Sequence, residues 1–130
     1  FDRDGDVDLL LTTNNGPARL FRNDVPAGNR SIRFRLVGRR SNRDGIGATV
    51  RVFHGSSTQS RMVRSGSSYL SQSELPVTFG LGPLDAVDRV VISWPSGRTE
   101  DFGRHAAGVA YRCVEGEGIT AEYPFGPAAR

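Results

Sequence analysis

Within the stretch 31–37, apolar and charged side chains alternate strictly over residues 32–36, and this period of two constrains the fold more than any other feature. The two sets fall on opposite sides of an extended chain: Ile32, Phe34 and Leu36 against Arg33 and Arg35. A helix would scatter the apolar set around its axis. The pattern therefore predicts a β-strand with one face in a core.

Strand signals of this kind recur roughly every 10 to 15 residues, whereas helical patterns are scarce. The 16 glycines and 7 prolines suit short strands joined by turns. The predicted strands are 9–13, 19–22, 31–37, 48–52, 59–64, 77–81, 87–94, 99–102, 110–114 and 119–123. We therefore predict an all-β chain built around an antiparallel β-sandwich-like domain, with the apolar strand 87–94 at a central position.

The first two predicted strands form a hairpin around the turn Asn14–Pro17. A lone hairpin is marginally stable in water, so this hairpin is expected to be the edge of a larger β structure. Residues 23–29 have linker composition. The predicted organisation is a partial blade at 1–28, a β domain at 29–123 and a frayed tail at 124–130.

An acidic loop precedes the hairpin. Asp2, Asp4, Asp6 and Asp8 alternate with other residues around Gly5. Hard cations such as calcium take oxygen ligands of this type, and glycine permits the tight curl that lets them converge. The sequence therefore predicts a calcium loop, and a solvated acidic turn is the alternative.

Two resemblances follow from these residues. The segment Asp2–Leu11, followed by Asn14–Leu20, resembles the FG-GAP repeat, a calcium-loop-bearing blade of β-propellers. The resemblance implies side-chain ligands at Asp2, Asp4 and Asp8, the backbone carbonyl of Asp6, and a further ligand expected ahead of Phe1. Calcium is therefore an expected cofactor of the intact parent protein, and the loop is expected to be incomplete in this chain.

Four further blocks resemble the UnbV/ASPIC domain, which follows FG-GAP repeats in cartilage acidic protein-like proteins. These blocks are Ser41–Ala48, Val63–Ser73, Phe79–Gly82 and Trp94–Gly97. The resemblance implies a secreted or cell-surface protein, with the periplasm as a further compartment. It also implies that the rest of the β-propeller is a partner of this chain.

All 17 basic side chains are arginines, and nine of them lie within residues 30–64 beside a single acid, Asp44. Arg33 and Arg35, with Arg51 on a neighbouring strand, are expected to form a basic stripe across a sheet face. Apart from Phe53, exposed aromatic side chains that would stack on bases are missing around it, so nucleic acid is disfavoured. An acidic polysaccharide, or the acidic face of the propeller itself, suits the stripe better.

The serine-rich stretch 65–73 is predicted to be a loop. Its hydroxyls, with Ser67, Ser68, Tyr69 and Gln72 as the candidates, have the donors and aromatic face that suit a sugar. The alternative is a loop whose hydroxyls bond to its own backbone. Both readings remain open from the sequence.

Catalytic patterns are weak. His54 and His105 have no sequence context that pairs them with a nucleophile, and Glu115 and Glu117 are expected to be solvated in a turn around Gly116. Residues 42–45 are predicted to be a turn rather than a second cation site. Trp94 and Cys113 are predicted to be core residues, and no apolar run reaches the roughly 20 residues of a membrane helix.

We therefore expect no enzymatic activity and no membrane span. The leading hypothesis is an extracellular or cell-surface binding or adhesion module that recognises a glycan or a protein. The alternatives are a purely structural cap of the propeller and an accessory domain of an enzyme. The sequence leaves the ligand open.

Overall fold

The computed structural model describes residues 1–24 and 28–126, and every regular element in those ranges is a β-strand. The strands are β1 (Leu9–Leu11), β2 (Arg19–Phe21), β3 (Arg30–Val37), β4 (Thr49–His54), β5 (Ser57–Met62), β6 (Val77–Gly82), β7 (Ala86–Val87), β8 (Arg89–Ser93), β9 (Thr99–Asp101), β10 (His105–Ala106), β11 (Val109–Val114) and β12 (Gly118–Pro124). The predicted all-β class is confirmed.

Two four-stranded sheets form the body of the molecule, in the orders β12-β11-β3-β6 and β5-β4-β8-β9. Neighbouring strands are antiparallel, except that β3 and β11 run parallel in continuous register from Ile32↔Val109 to Val37↔Val114. Two small ladders, β1-β2 and β7-β10, complete the described structure. The sandwich-like architecture is therefore confirmed, with one parallel pair inside it.

The core lies between the two sheets because the inward residues of both alternate with outward polar ones. Ile32, Phe34 and Leu36 come from one sheet, and Val50 and Val52 come from the other. The Phe34 ring stacks on Tyr111 at 5.7 Å and meets Phe79 edge-on at 6.1 Å. These aromatic pairs add to the apolar area that stabilises the fold.

The predicted strand 87–94 is central, because β8 pairs with β4 on one side and β9 on the other. Val90, Val91 and Ile92 are all buried there. The segment is divided at Asp88, which separates β7 from β8. The two-residue strand β10 was missing from the sequence prediction because it is too short to show a period.

The hairpin β1-β2 exposes large apolar side chains. All six of its residues are exposed, and Leu9 and Leu10 retain 60% and 63% of their accessible surface. The hairpin contributes no member to the core. A surface of this kind is typical of a segment that packs against something else.

The prediction of a frayed tail is wrong for residues 124–126. Pro124 pairs with Val109 in the β12 ladder, and the Phe125 amide donates to the Gly108 carbonyl at 2.9 Å. Residues 127–130 lie outside the described residues. Residues 25–27 of the predicted linker also lie outside them, so the boundary near residue 28 stays a prediction.

Candidate binding groove and acidic loop

The acidic loop is held by its own carboxylates and by a buried glycine. The Asp4 amide donates to Asp2 Oδ1 at 3.4 Å, and the Asp6 amide donates to Asp4 Oδ1 at 2.9 Å. Gly5 is buried, with a φ of 102° that a side chain rarely tolerates. The chain therefore curls around Gly5 as the sequence predicts.

The donor set of this loop fits a cation only in part. Asp2 Oδ2 and Asp4 Oδ2 are buried without a hydrogen-bond partner, which leaves two hard oxygen ligands unsatisfied. Asp8 is engaged, because it accepts the Asn23 amide at 2.9 Å and the Phe1 ammonium at 2.5 Å. Among residues 1–24 and 28–126, no three or more His, Cys, Asp and Glu side chains converge on one point. Calcium binding stays a prediction, with Asp2 and Asp4 as the residues that fit it.

The Phe1 ammonium also shifts the acidity of Asp8. Its hydrogen bond to the carboxylate, with the Asn23 amide second, lowers the pKa of Asp8 below the ordinary value. The same bond raises the pKa of the Phe1 amino group.

The C-terminal segment packs directly on the acidic loop. The Phe125 ring lies where a side chain on Gly5 would stand, since a Cβ there would come within 2.5 Å of Cδ2. The Gly126 amide donates to the Arg3 carbonyl at 3.0 Å, and the Ser31 hydroxyl donates to the Gly5 carbonyl at 2.7 Å. The loop is thus fastened to strand β3 and to the end of β12.

The three arginines of the predicted stripe do not share one face. Arg33 and Arg35 lie on β3, in the sheet that contains β6 and β11, whereas Arg51 lies on β4 in the other sheet. Since the neighbours of each on its strand point into the core, the arginines point outward on opposite sides of the sandwich. The expected single stripe is wrong, because alternation fixes the face of a strand but not its sheet.

Arg33 has partners of its own. Its Nε donates to Thr78 Oγ1 at 2.9 Å, one terminal nitrogen lies 3.2 Å from Glu74 Oε1, and its guanidinium sits 5.8 Å from the Phe125 ring centre. Arg51 Nη2 donates to Ser93 Oγ at a long 3.4 Å, and Arg35 is exposed. Arg33 therefore links β3 and β6 to the C-terminal segment.

The serine-rich loop satisfies much of its own polarity. Gln72 accepts the Gly66 amide at 3.0 Å and donates to the Ser73 carbonyl, while the Ser71 hydroxyl donates to the Tyr69 carbonyl. These contacts support the self-bonded reading of the loop. The side chain of Tyr69 and that of Leu70, whose φ is +50°, are 88% and 89% exposed at the tip.

An open groove of about 880 Å³ separates the hairpin from the sandwich. Three of the predicted ligand-binding residues line it, namely Arg33, Ser67 and Gln72. The lining does not include Arg35, Arg51, Ser68 or Tyr69. Asp6, Asp8, Leu9 and Leu10 lie on the hairpin side, and Ser60, Arg61, Met62 and Arg64 lie on the β5 side. Val77, Thr78 and Gly80 of β6 also contribute.

Arg61 and Arg64 are two basic residues of the groove that the sequence did not single out as candidates. Neither forms an ion pair with a carboxylate of the described residues, whereas Glu74 is paired with Arg33. The Arg61 guanidinium lies 5.7 Å from the Phe79 ring centre. Both lie within the predicted strand 59–64, but alternation does not show that this strand forms the edge of a sheet, which depends on strand pairing.

Glu115 is buried, so the expectation of a solvated carboxylate there is wrong. Its Oε2 accepts three successive amides, those of Arg39, Arg40 and Ser41, each at 2.8 Å. Its Oε1 accepts the hydroxyls of Ser41 at 3.0 Å and Ser96 at 2.5 Å. A run of amides aimed at one oxygen is a nest that stabilises an anion.

The acidity of Glu115 follows from these contacts. Burial alone raises its pKa, but the Ser96 hydroxyl and the three backbone amides outweigh burial and lower the pKa to about 2. The nest requires a tight turn, and Gly38 permits it because a Cβ there would lie 2.2 Å from the Asn42 carbonyl oxygen. Glu115 therefore joins two of the blocks that carry the UnbV/ASPIC resemblance.

Other candidates occupy structural positions. The Trp94 indole is buried and donates to Glu100 at 2.6 Å, and Asn42 accepts the Asp44 and Gly45 amides within its turn. Burial raises the pKa of the Cys113 thiol to about 12. The core prediction for Trp94 and Cys113 and the turn prediction at 42–45 are confirmed.

Both histidines make local contacts. His54 Nε2 lies 3.4 Å from Gln59 Nε2, and His105 Nδ1 lies 3.2 Å from the Gly103 carbonyl with its ring edge-on to Tyr111. The described part of the chain contains no helix long and apolar enough to cross a bilayer.

Comparison with curated proteins gave no match. The model of a family described as ASPIC and UnbV matches residues 38–120, from the glycine that opens the Glu115 nest to the middle of β12. The match spans more than half of the chain and includes all four blocks named above. On this evidence the chain belongs to the ASPIC and UnbV family.

Proposed function

We propose that this chain is a non-enzymatic binding module of an extracellular or cell-surface protein, and that it recognises a protein or a glycan. The observation that carries the proposal is the groove between the hairpin and the sandwich. It combines apolar surface with two guanidinium groups, Arg61 and Arg64, that have no carboxylate partner among the described residues. Guanidinium groups with free donors are typical of binding sites for anionic groups.

The test is binding of the 130-residue chain to arrays of glycans and of extracellular proteins. We expect a signal that Arg64→Glu reduces at least fivefold, because a reversed charge in the groove repels the ligand. Arg104→Glu is the matched control, since Arg104 is exposed and does not line the groove. Silence on both arrays, or equal losses in the two variants, would contradict the proposal.

A second candidate function is a structural cap on a β-propeller, with residues 1–24 as the edge of an FG-GAP-type blade. The hairpin favours it, because β1 and β2 are exposed along their whole length and carry Leu9, Leu10, Leu20 and Phe21. In this proposal the remaining blades cover those side chains. A longer chain with the preceding repeats should bind a hydrophobic dye less than this chain does, and equal dye binding would argue against the cap.

Calcium binding by the acidic loop belongs to the same proposal. The support is the pair of unsatisfied oxygens on Asp2 and Asp4. Calorimetric titration of a longer chain that includes the preceding repeats should show heat with calcium that Asp2→Asn and Asp4→Asn together abolish, while Asp24→Asn leaves it unchanged. If that longer chain gave no heat, the loop would be a solvated acidic turn.

A further inference from the structure

We propose that the groove accepts an extended acidic peptide segment, which pairs as an added strand with the free edge of β5 and places its carboxylates against Arg61 and Arg64. This inference rests on the proposed binding function and names the class of ligand. It commits to a peptide, and a glycan is an outcome that the test separates.

Strand β5 offers an unprotected edge. It pairs with β4 on one side, and no other strand of the described residues pairs with it. Five of its six residues are exposed, it contains no proline, and its register with β4 has no bulge. Natural sheets usually block such an edge, so an open one suits the addition of a strand.

The neighbouring strand β6 leaves room beside this edge. The two sheets are bridged there by a side chain, since Gln59 Nε2 donates to the Gly80 carbonyl at 2.9 Å. Gly80 has open space where a Cβ would be, and it lines the groove. A glycine inside a strand is typical of a place where another backbone comes close.

The charges select an acidic segment. Arg61 pairs in register with the buried Val50, so its side chain starts on the core side of the edge and reaches over Phe79 into the groove. Arg64 is exposed two residues after β5 ends. Three acids line the groove: Glu74 binds Arg33, Asp8 accepts the Asn23 amide, and Asp6 has a partner of its own. The two arginines on the β5 side are therefore left to meet carboxylates from outside.

A glycan fits the same groove less well. The amide of Gln72 is bonded within the serine-rich loop, and Thr78 Oγ1 accepts from Arg33. Tyr69, the exposed aromatic of that loop, does not line the groove. The backbone edge of β5 is the polar surface with vacant positions, and a peptide matches it better than a sugar does.

The experiment uses a ten-residue peptide of alternating Thr and Glu, titrated into the 130-residue chain and followed by amide NMR shifts. We expect shifts concentrated on β5 and on residues 63–64. Arg61→Gln with Arg64→Gln should weaken binding about tenfold, since each exposed ion pair contributes modestly. Arg40→Gln with Arg104→Gln removes the same charge elsewhere and should change binding less than twofold.

Two further measurements change the peptide and use the unaltered protein, so they do not depend on how the substitutions affect its folding. An alternating Thr and Lys peptide should bind at least tenfold more weakly. Two methylated peptides complete the test, one with N-methylated amides at every Thr and one at every Glu. One of the two should lose affinity, because the amides of alternate residues face β5 and methylation removes those hydrogen-bond donors.

The possible outcomes distinguish the strand-addition inference from the proposed binding function. Shifts elsewhere, equal binding of the Lys peptide, or no effect of methylation would overturn the strand-addition inference. If the peptide fails while a sulfated or carboxylated glycan shifts the groove residues, the inference is wrong and the binding function stands. Failure of every ligand class on the arrays and in the titration would overturn both.

Discussion

The Glu115 carboxylate holds three separate parts of the chain in one place. It sits at the end of β11, it receives the amides of residues 39–41, and it receives the Ser96 hydroxyl from the turn between β8 and β9. A buried acceptor with five donors is costly to alter, because each donor left without a partner also loses its contact with water.

Glu115→Gln should destabilise the protein by about 3 kcal/mol, since the amide group brings a donor into a site filled with donors. Urea denaturation followed by tryptophan fluorescence measures the loss. Glu117→Gln is the matched control, because Glu117 is exposed and only pairs with Arg39 at 2.9 Å; its cost should be below about 1 kcal/mol. Equal effects of the two changes would refute the role assigned to the nest.

Acid should remove the contribution of Glu115. Its pKa is lowered from 4.5 to about 2 in the folded protein, so the unfolded chain binds the proton more readily. The contribution is therefore complete above about pH 4.5 and is lost as the pH falls toward 2. Unfolding free energies of the unaltered protein should decline through this window, and Glu115→Gln should decline less steeply. Parallel curves would show that other groups control the acid response.

Sequence reasoning placed Glu115 in solvent because the local pattern, Glu-Gly-Glu, is typical of an exposed turn. The three amides that bind it lie 74 to 76 residues away, at Arg39, Arg40 and Ser41, and no local pattern reveals them. Trp94 and Cys113 were predicted correctly because each lies in a locally apolar stretch: Trp94 directly follows β8, and Cys113 lies within β11. Burial of an apolar residue can be predicted from its neighbours in the sequence, whereas the hydrogen-bond partners of a buried polar group can lie far away in the sequence.

At the scale of elements, the end of β12 and the acidic loop depend on each other. Phe125 covers Gly5, and Gly126 donates to Arg3. The loop thus takes its shape from residues at the other end of the chain as well as from its own aspartates. Sequence reasoning separated the two as a blade and a frayed tail because their contact crosses the whole β domain.

Phe125→Ala should loosen the loop while leaving the sandwich intact. Hydrogen exchange of the Asp4, Gly5 and Asp6 amides should become at least tenfold faster, since the ring that excludes water from Gly5 is removed. Exchange in β8 should not change. Tyr123→Ala is the control, because Tyr123 is an exposed aromatic on the same strand. Unchanged exchange in Phe125→Ala would mean that the aspartates alone hold the loop.

Strand positions were predictable from alternation, but their pairing was not. The period of two identifies which side of β3 and β4 is buried, and the structure agrees at Ile32, Phe34, Val50 and Val52. The period of two does not indicate to which of the two sheets each strand belongs. The basic stripe failed for this reason, and the parallel pair of β3 and β11 was unforeseen for the same reason.

At the scale of the whole molecule, one core joins both sheets. The reactivity of the Cys113 thiol is a measure of how often that core opens. The thiol is fully buried, and burial raises its pKa to about 12. Access requires separation of β11 from its neighbours, so thiol reagents should label the native protein only through global unfolding.

Labelling with a disulfide reagent at pH 8 should therefore be undetectable over minutes in buffer and complete in denaturing urea. The labelling rate should also fall as stability rises across a set of variants. A Leu70→Cys variant, with its thiol on the exposed tip of the serine-rich loop, should react at once and serves as the positive control. Rapid reaction of Cys113 in the native protein would show that the sheets open locally.

The parallel pairing of β3 with β11 sets an order of events during synthesis. Strand β3 lies inside its sheet, between β6 and β11, so one of its two edges stays vacant until residues 109–114 have been made. The ribosome must therefore release the chain as far as residue 114 before the sandwich can close. Until then the core-facing side of β3 and its free edge stay open to other chains, a hazard typical of folds dominated by distant contacts. A chain that ended before residue 109 would carry that hazard permanently.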